Sequence, residues 1–168
     1  KDTSGLLIIA KNNQTHRAFS KLFEEKTIEK TYLAALEGHI SPKKGSIESP
    51  LNRSKKNRQK ISISTQKGSR YALTHYEIQE YFSDPLPFCL AKIKIETGRT
   101  HQIRVHFEAI GHPVLGDQTY GHAKSNAAFK ELGLNRQFLH AAKLKFKDPT
   151  TNKEVVFESK LPSDLETV

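Results

Sequence analysis

Residues 96–113 read "ETGRTHQIRVHFEAIGHP" and crowd Arg99, Thr100, His101, Gln102, Arg104, His106 and His112 around one junction. Cationic and hydrogen-bonding side chains at this density handle anions. If a strand ends before Gly98 and a helix opens near Thr100, the free N–H groups of its first turn add to the pull on negative charge. The expected occupant near Thr100 is a substrate phosphate or a carboxylate of the protein itself. For Arg99 and for Arg104 the competing reading is a structural salt bridge. The histidines do not suggest a metal. Ligands on one helix need a spacing of three or four, whereas His101 and His106 are five apart. A Gly-x-Ser-x-Gly elbow and a phosphate-binding P-loop are both missing from the sequence.

Other single residues are less eloquent. Tyr32 stands in "KTYLAALEG", two residues after Lys30, and taken alone is a strand aromatic. Asp2 and Thr3 precede "SGLLIIA" and read as a turn before a strand. Cys89 is the only cysteine, so neither an internal disulfide nor a thiolate zinc site can form, and an intracellular compartment fits. It alternates within "FCLAKIKIE" and reads as a buried, inert thiol.

Charge points to a polyanion. Lys and Arg outnumber Asp and Glu by 27 to 18, a net +9. Residues 49–76 hold no acid, yet they hold Arg53, Lys55, Lys56, Arg58, Lys60, Lys67 and Arg70. A basic run of this kind suits phosphate contact, against the alternative of a merely solvated loop.

These residues need a scaffold, and 168 residues suffice for one globular domain with a core. No window approaches the ~20 apolar residues of a membrane span. No signal segment is visible. "GLLIIA" predicts a buried strand. A helix follows over "QTHRAFSKLFEEK", with Asn13 as its cap. "KTYLAALEG" predicts a strand, and "PKKG" a turn into the basic loop. Two strands are expected around "QKGS", with Ile61 and Ile63 alternating in the first and Ala72, Thr74, Tyr76 and Ile78 in the second. "FCLAKIKIETG" is a further strand. "THQIRVHFEAIG" predicts a helix stopped by Gly111. "HPVLGDQTYG" is turn-rich, "SNAAFKELG" a short helix, and "FLHAAKLKF" and "VVFESKL" a closing hairpin. The sum is an α+β domain on a mixed, largely antiparallel sheet flanked by helices.

Three segments in order, "KDTSGLLIIAKN", "EKTYLAALEGHI" and "IETGRTHQIRVHFEAIGHPVLGDQTYG", resemble the signatures of the RluA class of RNA pseudouridine synthases. "SPLNRSKKNRQKISISTQKGSRYALTHYEI" and "FLHAAKLKFKDP" extend the likeness over nearly the whole chain. The resemblance implies a pseudouridine-synthase fold. It implies a cofactor-free, metal-free isomerisation of uridine to pseudouridine in RNA, ribosomal RNA rather than transfer RNA being favoured. Tyr32 matches the family's active-site tyrosine, which stacks near the target base and has been proposed as the general base. Arg99 matches the arginine that pairs with the nucleophilic aspartate. That aspartate is expected immediately before Lys1, so Asp2 is not its equivalent. Residues 1–168 are then expected to be an N-terminally truncated catalytic domain, inactive as it stands. Lys30, Thr100, His101, Gln102, Arg104 and Leu139 are expected at the substrate, and Arg53, Lys55, Lys56, Arg58 and Lys60 at RNA phosphates. A cytoplasmic monomer without membrane contact completes the expectation, and a non-catalytic RNA-binding relative is its rival.

Overall fold

The computed structural model describes residues 1–55, 57 and 60–168. Lys56 and Arg58, expected at RNA phosphates, lie outside the described residues. The chain runs β1 (Ser4–Gly5), α1 (Asn13–Glu24), β2 (Glu29–Glu37), β3 (Lys44–Glu48), β4 (Leu51–Arg53), β5 (Ile61–Ile63) and β6 (Leu73–Phe82). It continues with β7 (Phe88–Ile95), α2 (Gln102–Ala109), α3 (Ala123–Glu131), β8 (Leu139–Lys147), β9 (Glu154–Glu158) and α4 (Ser163–Glu166).

A seven-stranded sheet organises these elements in the order β1-β8-β2-β7-β6-β3, with β9 also paired to β8. Its pairings are antiparallel except for β1 with β8. The fold is therefore α+β on a mixed, largely antiparallel sheet. Alternation on β7 makes its two faces. Cys89, Ala91, Ile93 and Ile95 turn inward while Lys92 and Lys94 stay in water. On the inward side α2 lays Ile103 and Phe107 over Ala34, Ile93 and Ile95. The neighbouring residues Ala35 and Phe88 serve a second cluster, built with Leu115, Phe129, Leu134, Phe138 and Leu165. Burial leaves Cys89 with a thiol pKa above its ordinary value, which suits an inert core residue.

Several expectations need correction. "GLLIIA" is not a buried strand. Only Ser4 and Gly5 pair with β8, and beyond Ala141 that edge of β8 is occupied by β9. Leu6 and Ile8 then pack on Ile28, Leu144 and Phe146, whereas Leu7 and Ile9 are 80% and 76% exposed. The two strands expected around "QKGS" are present as β5 and β6, but they do not pair with one another. β5 pairs with β4, and β6 pairs with β3 and β7. "PKKG" is in part strand, because Lys44 and Gly45 open β3. The cap of α1 is Asn12, whose Oδ1 accepts from the Thr15 N–H at 2.8 Å. α3 begins two residues earlier than expected, and α4 was not expected. The glycine stop of α2 is present, with Gly111 at φ 81°.

Candidate active site

The loop from β7 into α2 is held by one glutamine. Gln102 Oε1 accepts from Thr97 Oγ1 at 2.7 Å and from the Arg99 N–H at 3.1 Å. Its Nε2 donates to the Leu73 carbonyl and to Thr74 Oγ1, both at 3.0 Å. Every polar atom of this buried side chain is thus spent inside the protein, so Gln102 positions the loop and has no hydrogen-bonding capacity left for a substrate. One turn on, His106 continues the network. Its Nδ1 lies 2.9 Å from Thr74 Oγ1 and its Nε2 3.0 Å from the Ser49 carbonyl. The carbonyl only accepts, so Nε2 carries the proton. Burial lowers the His106 pKa, the Ser49 hydrogen bond opposing it in part.

Arg104 takes the structural reading. Its Nε and Nη2 donate to Asp117 Oδ2 and Oδ1 at 2.6 and 2.7 Å, and Asp117 is wholly buried. Burial alone would raise the Asp117 pKa. Hydrogen bonds from Arg104 and from the Tyr120 and Thr119 N–H groups outweigh it and hold the carboxyl below its ordinary value. The guanidinium also lies over the Tyr120 ring, 5.0 Å from its centroid. Arg104 reaches the wall of the cavity described next, but its fork is committed to Asp117.

That cavity, of about 470 Å³, opens between the start of the chain, β2, β8 and the N-terminus of α2. Its wall includes Lys1, Thr3, Gly5, Tyr32, Arg99, His101 and Leu139. Tyr32 and Ala141 face one another across β2 and β8. Gly5 is required where the chain start meets β8. Its φ is +98°, and a Cβ there would meet the Ala141 carbonyl oxygen at 2.3 Å. Gln137 Nε2 donates to the Lys1 carbonyl at 2.9 Å and anchors the first residue at the cavity. Arg99 donates its Nε to the Tyr71 carbonyl at 3.1 Å, which aims the rest of the guanidinium. Among the described residues it pairs with no carboxylate. Burial pushes the Tyr32 phenol above its ordinary pKa, so it keeps its proton at neutral pH.

His101 sits at the N-cap of α2 with φ 56°. Its Nδ1 is 3.0 Å from Tyr120 Oη, which itself accepts from the Ile61 N–H at 2.8 Å. With those two neighbours the hydroxyl is satisfied by donating to Nδ1, which leaves the His101 proton on Nε2. Burial lowers the His101 pKa, the nearby Arg104 charge adds to this, and Asp117 opposes it.

The remaining expected site residues are placed less centrally. Lys30 is buried and lies off the cavity wall. Its Nζ donates to the Ile28 carbonyl at 3.2 Å and sits 5.8 Å from the Phe23 ring centroid. Burial and the Lys26 charge lower its pKa. Thr100 lines a separate recess with Arg53. Lys55 is exposed. Lys60 Nζ donates to the Thr119 carbonyl at 2.5 Å and sits over the Tyr120 ring, so part of its capacity is internal. Among the described residues no group of three or more His, Cys, Asp or Glu is placed to hold a metal ion. Sequence reasoning missed Asp117 and Tyr120. Both lie in "GDQTYG", where the only signal was an Asp two residues before Thr119, able to accept its N–H in a turn.

Comparison with known proteins follows the same outline. The family profile described as RNA pseudouridylate synthase matches residues 1–109. An uncharacterized RNA pseudouridine synthase of Bacillus subtilis is 41% identical over 165 residues, 98% of this chain and 51% of that relative. The ribosomal large subunit pseudouridine synthase D of Zymomonas mobilis is 40% identical over 168 residues, 99% of this chain and 52% of that relative. The chain therefore spans about half the length of the curated relatives it matches. Among solved structures, human RNA pseudouridylate synthase domain containing 1 superposes with a TM-score of 0.75 at 30% identity, covering 93% of this chain and 64% of the other. Human RNA pseudouridylate synthase domain containing 4 shares the fold at TM-score 0.71 and 21% identity, over 93% of this chain and 66% of the other. The ordered segments around Thr3, Tyr32 and Arg99, the fold they build and these matches agree: the chain belongs to the RNA pseudouridylate synthase family, in its RluA class.

Proposed function

We propose that this chain is the catalytic portion of an enzyme that isomerises a uridine in RNA, foremost ribosomal RNA, to pseudouridine. One observation carries the reading. Thr3 to Gly5, Tyr32 and Arg99 come from three separate signature segments and line a single cavity of about 470 Å³. That volume lies within the range of small-molecule sites and accommodates a nucleoside. The Zymomonas mobilis relative, a ribosomal large subunit pseudouridine synthase, supports ribosomal RNA as substrate. The reading extends to a monomer acting in the cytoplasm, without membrane contact; no helix among the described residues is long and apolar enough to cross a membrane.

In the reaction the N1–C1′ bond of uridine breaks and a C5–C1′ bond forms. The C5 proton leaves and N1 gains one, so no electrons enter or leave. A carboxylate serves as nucleophile or carbanion-forming partner. On this reading it is the aspartate that precedes Lys1 in the longer protein, next to Arg99, whose cation keeps it ionised. Tyr32 offers a flat face to the uracil and a protonated hydroxyl. A paired uridine must first be flipped out, at a few kcal/mol of unstacking. Arg53, Lys55, Lys56, Arg58 and Lys60 offset part of this through RNA phosphates.

The test is tritium release from RNA carrying 5-labelled uridine. Residues 1–168 alone are expected to release none, and the chain extended backward through the aspartate is expected to release it. Full activity without the extension refutes the placement of the nucleophile. Tight RNA binding with no release by the extended, folded protein favours a non-catalytic RNA-binding relative.

A further inference from the structure

We propose that a second recess, which shares Arg99 with the cavity, binds a phosphodiester directly attached to the nucleoside in that cavity. The proposal rests on the reading of the cavity as a nucleoside site. The recess has a volume of about 230 Å³, and Arg53, Arg70, Arg99, Thr100 and Gly98 are on its wall. None of its described lining residues is acidic. The arginines that do pair with carboxylates, Arg104 and Arg136, lie elsewhere.

The recess is built rather than incidental. Leu51 and Arg70 exchange two backbone hydrogen bonds of 2.8 Å, which hold Arg70 beside β4. Asn52 Nδ2 reaches Ser69 Oγ at 3.4 Å and ties the same two segments together. Arg53 ends β4 at the same site. The carbonyl of Tyr71, next to Arg70, accepts from Arg99 Nε and brings the third guanidinium in. Gly98 leaves the wall bare, since a Cβ built there would meet nothing within 4 Å. Backbone can therefore approach a ligand closely.

Among the described residues Arg53 and Arg70 pair with no carboxylate, and with Arg99 they favour a multiply hydrogen-bonded oxyanion, their planar forks matching phosphate oxygens in pairs. Arg99 is shared by the recess and the cavity. A ligand that fills both must bring its nucleoside and its phosphate to the same arginine. A nucleotide within a strand has that form. Of the two arginines that line the recess alone, Arg70 is the cleaner probe, because its contribution to the fold is made by its backbone.

The test is NMR titration of the chain with uridine, inorganic phosphate and uridine 3′,5′-bisphosphate, observing arginine Nε–H and backbone signals. The bisphosphate is expected to move Arg53, Arg70 and Thr100, and to bind more tightly than uridine. Arg70→Gln is expected to weaken the bisphosphate about tenfold, as loss of a charge-assisted contact implies, and to leave uridine unaffected. Arg53→Gln is the second variant and is expected to act alike, with spectra confirming the fold of both. Unchanged bisphosphate affinity in both folded variants overturns the proposal, as do phosphate shifts confined to other surfaces. If phosphate moves Arg70 while uridine leaves Tyr32 and Leu139 unmoved, the recess stands and the nucleoside reading of the cavity falls.

Discussion

Asp117→Asn tests how the site is supported. The carboxylate is 0% exposed and accepts four hydrogen bonds, from Arg104 Nε and Nη2 and from the Thr119 and Tyr120 N–H groups. An amide of the same size still offers one oxygen to the two backbone donors. Its NH₂ group, however, faces the guanidinium of Arg104, a buried residue that cannot lose its proton. Removing one partner of a buried pair costs about 3–5 kcal/mol, because the survivor is left charged and unpaired. A domain of this size holds only about 5–15 kcal/mol in total. At roughly 2–4 °C per kcal/mol the melting temperature should fall by about 6–20 °C. The assay is urea and thermal unfolding of the parent, Asp117→Asn, Arg104→Met and the double variant. The double variant should recover part of the loss, since Arg104→Met removes the buried charge that Asp117→Asn leaves unpaired. A loss below about 1 kcal/mol for Asp117→Asn is what an exposed pair gives, and it would refute the argument that burial makes this contact costly to break.

Tyr120→Phe keeps the ring under Arg104 but removes the hydroxyl between Ile61 and His101. It should cost about 1–2 kcal/mol and release the His101 tautomer, read by imidazole nitrogen chemical shifts; a parent His101 already protonated on Nδ1 would contradict the assignment. Stability should fall as pH drops below about 6.5. Buried His106 and half-buried His101 have lowered folded pKa values, so the unfolded chain binds more protons in the window between its own pKa and the lower folded one. Urea midpoints at pH 7 and pH 5 read this, and equal midpoints would deny that these rings are held neutral. Asp117 adds a second loss at lower pH, beginning below the ordinary carboxylate value and complete only once its depressed folded pKa is passed. In the extended protein, Arg99→Lys should depress turnover far more than RNA affinity, because a point charge does not replace a fork. Equal loss of both would leave Arg99 a phosphate contact alone, with no role in turnover.

Strand and helix types were legible wherever a periodicity ran long. β2, β7, β8 and α2 each combine alternating or helical apolar spacing with a clear stop. Partners were not legible. Ile61 and Ile63 alternate as a strand should, yet nothing in that pattern distinguishes pairing with β4 from pairing with β6. The error at "GLLIIA" has the same root. Apolar content announces burial, but which residues are buried depends on whether a strand edge is free. Here β9 takes the edge of β8 beyond Ala141. Leu7 and Ile9, as apolar as Leu6 and Ile8, are left facing water.

The signature "GRTHQIR" shows why a site can be read from sequence before its roles can. Its residues are close in the chain, so a reading by proximity treats them as one functional group. The turn at His101 and the helix after it send them in different directions. Arg99 and His101 line the cavity, Thr100 the recess, Gln102 the loop's internal hydrogen bonds, and Arg104 the pair with Asp117. At 100° per residue, Gln102 and His106 share a face and meet the same threonine, Thr74, on β6. Without that buried network the Arg99 N–H loses its acceptor, and the loop that carries the guanidinium to the Tyr71 carbonyl is no longer fixed. A change at Gln102 should therefore resemble a change at Arg99 in turnover, although Gln102 has no capacity left to touch a substrate. The two are separable because loss of Gln102 also lowers stability, by leaving four hydrogen bonds unmade, two of them to the buried Thr74 and Thr97, whereas loss of the Arg99 side chain leaves those bonds intact.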